Sequence, residues 1–328
     1  MLEAMMKAKV GDDVLGEDPT VTQLEQKLAG LFNMEAGLFC PSGTMTNQIA
    51  IKCHTQPMDE VICDQRSHVY RYEAGGIAYH SMASVRLLDG PLGILSDKMI
   101  EPEINEANIH YPNSTLVVLE NTVNRGGGAC YSLSQIAAIS SLCKRRGLKL
   151  HLDGARIFNA LIATGECSQD YGQYFDSISV CLSKGLGAPV GSVLLGSKEF
   201  ITKANKIRKA FGGGMRQAGF LAAAGIYALD HHIDRLEIDH QHALVLSKAL
   251  QKVSYVKLVL PVATNLVVFQ VAEGYVASKV VEKLAQSGIA CSTTGPDTIR
   301  MVTHLDISSE MIETTVQNII HLYSSEIN

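Results

Sequence analysis

Apolar positions along the middle of the chain follow two alternating periods. The runs EVICD (60–64), TLVVLEN (115–121), LKLHLDGA (148–155), SISVCLS (177–183) and VGSVLLG (190–196) read as strands. Segments of helix length separate them. SLSQIAAISSLCKRRG (132–147) opens on a capping serine, keeps a helical period and stops at glycine, with its cations placed to suit the macrodipole. Strands spaced by helices predict βαβ units and a mostly parallel sheet. One long helix is predicted over 218–253, and TNLVVFQV, ASKVVEKLAQSG and IRMVTH after it predict a smaller α+β unit. The first ten residues read as a short amphipathic helix. The expected division is a large unit over 1–235, its first fifteen or so residues associated with the smaller unit over 236–328.

Ligands in open α/β sheets bind beyond the carboxyl ends of the strands. The residues ending the predicted strands include Asp64, Asn121 and Asp153, with Lys184 just after SISVCLS. Bulk properties narrow the field of partners. With 328 residues, 46% hydrophobic and 19% charged, the chain can bury a large core. Its net charge of −5 and lack of a basic stripe argue against nucleic acid. No apolar run approaches the roughly 18 residues of a membrane helix. Eight cysteines are scattered without a C-x-x-C pair, which reads as small core residues in a reducing cytoplasm. His231, His232, His240 and His242 form no i, i+4 pair, so no metal is expected there, and the stretch reads as a wet or inter-subunit surface.

The stretch CLSKGLGAPVGS (181–192) sets one lysine among small residues. A lysine at a sheet edge can form a Schiff base with a carbonyl compound, and Gly185, Gly187 and Ala188 would let a planar group approach the backbone. If that group is pyridoxal phosphate, a carboxylate must pair with its ring nitrogen so that the ring draws electrons. A helix N-terminus must hold its phosphate, and a flat side chain must cover the ring. Asp153 suits the first need, Ser42, Gly43 and Thr44 the second, and His68 the third. Each alone has an ordinary reading as a turn residue, a cap or a surface group. Their order along the chain, each at a predicted strand end, gives the pattern its weight.

VGDDVLGEDPTVTQLE, PSGTMTNQ, HVYRYEAGG, ENTVNRGGG, HLDGARIFNA, SKGLGAPVGS, GGGMRQAG and IRMVTHLD, in that order, resemble the low-specificity threonine aldolases. These are fold-type-I, pyridoxal-phosphate-dependent enzymes of the aspartate aminotransferase superfamily. The resemblance runs the length of the chain. It implies that Lys184 carries the cofactor, that Asp153 pairs with the ring nitrogen and that Arg156 lies on the side of the ring oxygen. It implies phosphate contacts from Gly43 and Thr44, with Lys209 and Arg216 supplied by a neighbouring subunit. It also implies that His68 stacks on the ring, that His110 lies near the substrate hydroxyl, and that Arg300, with Arg156, binds the amino-acid carboxylate. The expected reaction is cleavage of threonine or allo-threonine to glycine and acetaldehyde. The runner-up is a β-eliminating or other amino-acid lyase, and a homo-oligomer built as a dimer of dimers is expected.

Two departures from the family pattern bear on activity. Family members carry a further N-terminal segment whose serine helps bind the substrate carboxylate. Without that hydrogen bond Arg300 loses about 1.5–3 kcal/mol of support, so the expectation is either weak or absent turnover or a true start upstream of Met1. Val123 stands where relatives have histidine, and it is expected to support the strand-end loop.

Overall fold

The computed structural model describes residues 1–321. A seven-stranded sheet forms the large unit: β1 (Ala36–Cys40), β2 (Asp59–Asp64), β3 (Ser84–Leu88), β4 (Asn113–Glu120), β5 (Lys149–Gly154), β6 (Ser177–Cys181) and β7 (Ser192–Gly196). Their spatial order is β1-β7-β6-β5-β4-β2-β3. Neighbours from β6 through β5, β4 and β2 to β3 run parallel, while β7 runs against both β6 and β1. All five positions of β6 and of β7 are buried. Helices cover both faces, so strand alternation feeds two apolar layers. Val117, Leu119, Leu150 and Leu152 join the core with the helices Pro19–Leu31, Leu133–Arg146 and Gly219–His231. On the other face Leu116, Val118, Val61 and Cys63 pack with Ile51 of the helix Gly43–His54.

A second sheet is antiparallel throughout, in the order β10 (Ser292–Thr293), β11 (Thr298–Val302), β9 (Leu266–Val271) and β8 (Val256–Val259). Its own core joins Val267, Phe269 and Ile299 to Leu246, Leu250, Val280 and Ile312 from three helices. The opening residues were expected beside this smaller unit. The helix Leu2–Met6 instead lies against Gly219–His231, with Met1 and Met5 on the large core.

Helix ends follow local chemistry. Ser132 and Gln135 form a reciprocal capping box, and Gly147 ends that helix at φ 70°, a conformation that glycine adopts without a Cβ clash. The single helix predicted over 218–253 is two helices, Gly219–His231 and Leu236–Leu250. The break has a tertiary cause. The His232 ring, through Nδ1, bonds the Leu186 carbonyl at 2.6 Å, and Arg235 precedes the second helix and pairs with Asp239 at 2.7 Å. The histidine-rich stretch is not a wet surface throughout. His240 and His242 are buried, with partners in Asn159 and Ser309.

Candidate active site

Parallel pairing sets the carboxyl ends of β4, β5 and β6 along one edge. Glu120 lies beside Asp153, and Asp153 beside Ser179. Asp153 is 2% exposed. Its Oδ1 accepts from the Ala155 N–H at 3.1 Å, and its Oδ2 from Asn47 Nδ2 at 3.0 Å. The same Asn47 nitrogen donates to Glu73 Oε1 at 2.9 Å, so its two hydrogens serve two carboxylates. Asn47 Oδ1 must then accept, and His151 Nε2 lies 3.1 Å away. Burial pushes His151 down to about 3, so the ring is neutral and carries its hydrogen on Nε2. His151 Nδ1 accepts from Ser177 Oγ at 2.8 Å, and Ser177 accepts from His54 Nε2 at 2.8 Å. The hydrogen-bond polarity of the whole chain is thereby ordered, from His54 to the two acids.

His68 opens the short helix after β2. Its N–H donates to Glu120 Oε2 at 2.7 Å, and its Nδ1 meets Glu73 Oε1 at 2.9 Å. The Glu73 bond raises the His68 pKa against the opposing effect of burial. A hydrogen held on Nδ1 leaves Nε2 free as a base. Glu120 is pushed up to about 7, first by burial and then by the charge of Asp153.

Lys184 follows β6 in a turn closed by the Gly187 N–H on its carbonyl at 2.9 Å. The loop is tied twice more, Ala188 to Leu182 and Leu182 to Gly191. Its small residues have a packing reason that differs from the expected one. A Cβ on Gly185 would meet Asn159 Oδ1 at 2.9 Å, and one on Gly187, at φ +71°, would meet Leu305 at 2.1 Å. Among the described residues the Lys184 ammonium has no hydrogen-bond or ion-pair partner. Its charge reaches His68, as does that of Asp153.

Arg156 and Arg300 complete the group. Burial, and then the charge of Arg300, lowers the Arg156 pKa. Arg300, on β11, donates to Asn124 Oδ1 at 2.8 Å, while its Nε is buried without a partner. A cavity of about 440 Å³ between the two units is lined by His68, Tyr72, Asn124, Arg125, Thr294 and Arg300, among others.

The remaining expected residues lie elsewhere. Ser42 uses its hydroxyl to cap the helix Gly43–His54, accepting from the Met45 N–H at 3.2 Å. The first N–H groups of that helix, at Gly43 and Thr44, have no intrahelical acceptor. His110 is exposed in the loop before β4. That loop joins the amino end of an eight-residue strand whose carboxyl end carries Glu120, roughly 25 Å away at about 3.3 Å per residue. Within one chain His110 is therefore at the wrong edge of the sheet to join His68. Lys209 is exposed, and Arg216, 60% exposed, pairs with Asp12 at 2.5 Å. Among the described residues no hydrogen bond or ion pair joins either to Asp153 or Lys184. Val123 is buried and pairs with Ala129 across the loop 123–129, so it supports that loop.

The beta-eliminating lyase family model matches residues 1–274. Low-specificity L-threonine aldolase 1 of Arabidopsis thaliana is 40% identical over 326 residues, covering 96% of this chain and 90% of that protein. The chain belongs to this family, among its threonine aldolases. The low-specificity L-threonine aldolase of Escherichia coli K12 is also 40% identical, over 313 residues that cover 95% of this chain and 92% of that protein. The threonine aldolase structure from Leishmania major superposes with a TM-score of 0.83 at 22% identity, covering 96% and 92% of the two chains. That likeness establishes the fold-type-I architecture.

The threonine aldolases and their wider family use pyridoxal phosphate, and the residues present here fit that group. Asp153 offers a fixed, buried carboxylate and Lys184 an amine without a competing partner. The helix beginning at Gly43 presents free N–H groups one turn from Asn47, which holds Asp153. His68, Glu73 and Asp153 also place ligand-type atoms within 4.8 Å of one another. Asn47 and His68 already bond these acids, so the cluster reads as a network of ordered hydrogens. Asn47, Glu73 and His151 are absent from the sequence-based set. His151 had a signal: it shares the face of β5 with Asp153, two residues on.

Proposed function

We propose that this protein cleaves L-threonine and L-allo-threonine to glycine and acetaldehyde. The observation that carries the reading is the convergence of Lys184, Asp153, His68, Arg156 and Arg300 at one sheet edge. Lys184 would hold the cofactor through its amine, and Gly43 and Thr44 would hold its phosphate. Bound pyridoxal phosphate supplies an electron sink for the pair left at Cα when the Cα–Cβ bond breaks. Asp153 keeps a proton on the ring nitrogen. Arg300 and Arg156 clamp the substrate carboxylate, which fixes the direction of the bond to be broken. His68, its hydrogen anchored toward Glu73, takes the β-hydroxyl proton at Nε2. Lys184, as its ammonium, would deliver the proton that Cα takes.

The deciding assay incubates the holoenzyme with L-threonine and traps the products. Glycine and aldehyde in equal amounts are expected. 2-Oxobutanoate and ammonia would replace this reading with β-elimination.

The raised pKa of His68 predicts the pH profile. The neutral base exists only above that pKa, so kcat/KM should rise through an acid limb above the ordinary histidine value. Glu73→Gln removes the carboxylate that favours the imidazolium. The limb should then move to lower pH, and the weaker base should lower plateau kcat by roughly tenfold. An unmoved limb would remove His68 from the base role.

We also propose that the chain works as a homo-oligomer, a dimer of dimers, in the cytoplasm. Exposed Lys209 and Arg216 support this, since their cationic reach toward phosphate needs a neighbouring copy. Light scattering tests it, and a stable monomer with full cofactor would overturn it. The eight cysteines are unpaired, which suits a reducing compartment. Among the described residues no helix is long and apolar enough to cross a membrane.

A further inference from the structure

Next to the amino-acid cleft lies a second cavity of about 350 Å³. It shares Asn124, Arg125, Thr294 and Arg300 with the first. Arg66 and Arg71 complete a set of four arginines, and no carboxylate lines the space. Arg66 is neutralised by Asp89 at 2.7 Å and Asp64 at 3.5 Å. The other three have no carboxylate partner among the described residues. Arg71 donates from Nε to the Gln65 carbonyl at 2.8 Å. Arg125 donates to the Thr294 carbonyl and lies 5.5 Å from the centre of the Tyr72 ring. Arg300 bonds only the neutral Asn124. Arg125 and Arg300 line both cavities, and neither lining includes a carboxylate; burial, and then the charge of Arg125, lowers the Arg300 pKa.

Threonine brings one carboxylate, which Arg300 and Arg156 satisfy. Arg71 and Arg125 are then surplus to that substrate. Their planar forks suit a carboxylate or a phosphate oxygen pair. We infer that this cavity is a second anion subsite, which receives a carboxylate or phosphate at the end of the side chain of a β-hydroxy-α-amino acid. The inference rests on the reading of the adjoining cleft as the amino-acid site. The bond changes are those of threonine cleavage. The β-hydroxyl loses its proton, the Cα–Cβ bond breaks, Cβ becomes an aldehyde carbon carrying the anionic group, and Cα takes a proton to give glycine. No oxidant or reductant is needed.

The holoenzyme is assayed with L-threonine, 3-hydroxyaspartate and 4-hydroxythreonine phosphorylated on its 4-hydroxyl, with released glycine as the readout. At low ionic strength at least one anionic substrate should exceed threonine in kcat/KM by about tenfold, mostly through KM. Which of the two prevails identifies carboxylate or phosphate, and added salt should narrow the gap. Arg71→Gln, in the lining of the second cavity and not of the amino-acid cleft, should cut kcat/KM for the favoured anionic substrate by at least about fivefold and change threonine itself less than about twofold. Anionic substrates no better than threonine, or equal losses on all three, would overturn the inference. If nothing is cleaved, the parent reading fails and calorimetric titration with inorganic phosphate decides the subsite alone. Binding that Arg71→Gln weakens by at least about fivefold supports it; absent or unchanged binding refutes it.

Discussion

Lys184→Ala is expected to lower threonine cleavage by about a thousandfold or more while leaving the fold intact. Two observations separate those effects. The Lys184 ammonium has no partner in the folded chain, so its removal breaks no hydrogen bond and leaves no buried polar group stranded. The turn that carries it is closed by backbone bonds, Gly187 to Lys184 and Ala188 to Leu182, which alanine preserves. Thermal melting should therefore move little. Borohydride treatment of the holoenzyme should fix the cofactor to the peptide 181–192 in the native chain and to no peptide in the variant. A small primary amine added to the variant should restore part of the rate, because it supplies the missing nitrogen without its tether. Turnover above about a tenth of native would show that this lysine is not the amine that matters.

The parts of this site that sequence reading reached share one property. Asp153 and Lys184 end or follow strands whose apolar runs are buried on both faces, so a polar residue there breaks a strong pattern. Asn47 and Glu73 break none. Asn47 sits in an N-terminal helical turn among threonine and glutamine, and Glu73 in a loop of mixed polarity. Their importance comes from long-range pairing, Asn47 reaching Asp153 across 106 positions of sequence. His110 shows the converse failure. Proximity in sequence ties it to β4, but only the direction of the strand tells that it enters at the edge opposite Glu120. Tertiary contacts likewise decide the break at His232, since DHHID contains no proline or glycine to announce it. β1 and β3 also escape pattern reading: AGLFC is short and lies directly against a proline, and SVRLL at the sheet edge mixes exposed and buried positions.

Asp153→Asn separates catalysis from stability at the other end of the cofactor. The neutral amide cannot balance a protonated ring nitrogen. Loss of a fixed charge at the centre where electrons accumulate is expected to cost about 10²–10³-fold in kcat. Stability has two opposing terms. Asparagine has one acceptor where Asp153 has two, so either Ala155 or Asn47 loses a bond, at about 1–3 kcal/mol. Against this, the repulsion between the charges of Asp153 and Glu120 disappears, about 3 kcal/mol for two charges some 5 Å apart at an effective dielectric of 20. The net change should be within about 1–2 kcal/mol. The sharper readout is the pH dependence of unfolding. Glu120 titrates near 7 in the folded chain against 4.5 for a free carboxyl. Between those values the folded state holds a proton that the unfolded state has released, so stability falls as pH rises through that window. Removing the charge of Asp153 lowers the folded pKa of Glu120 and should flatten that fall. Denaturant titrations of the cofactor-free native and variant chains between pH 4.5 and 7 would measure it. Parallel curves would mean that Asp153 and Glu120 do not feel each other, and with that the electrostatic account of this sheet edge would fail.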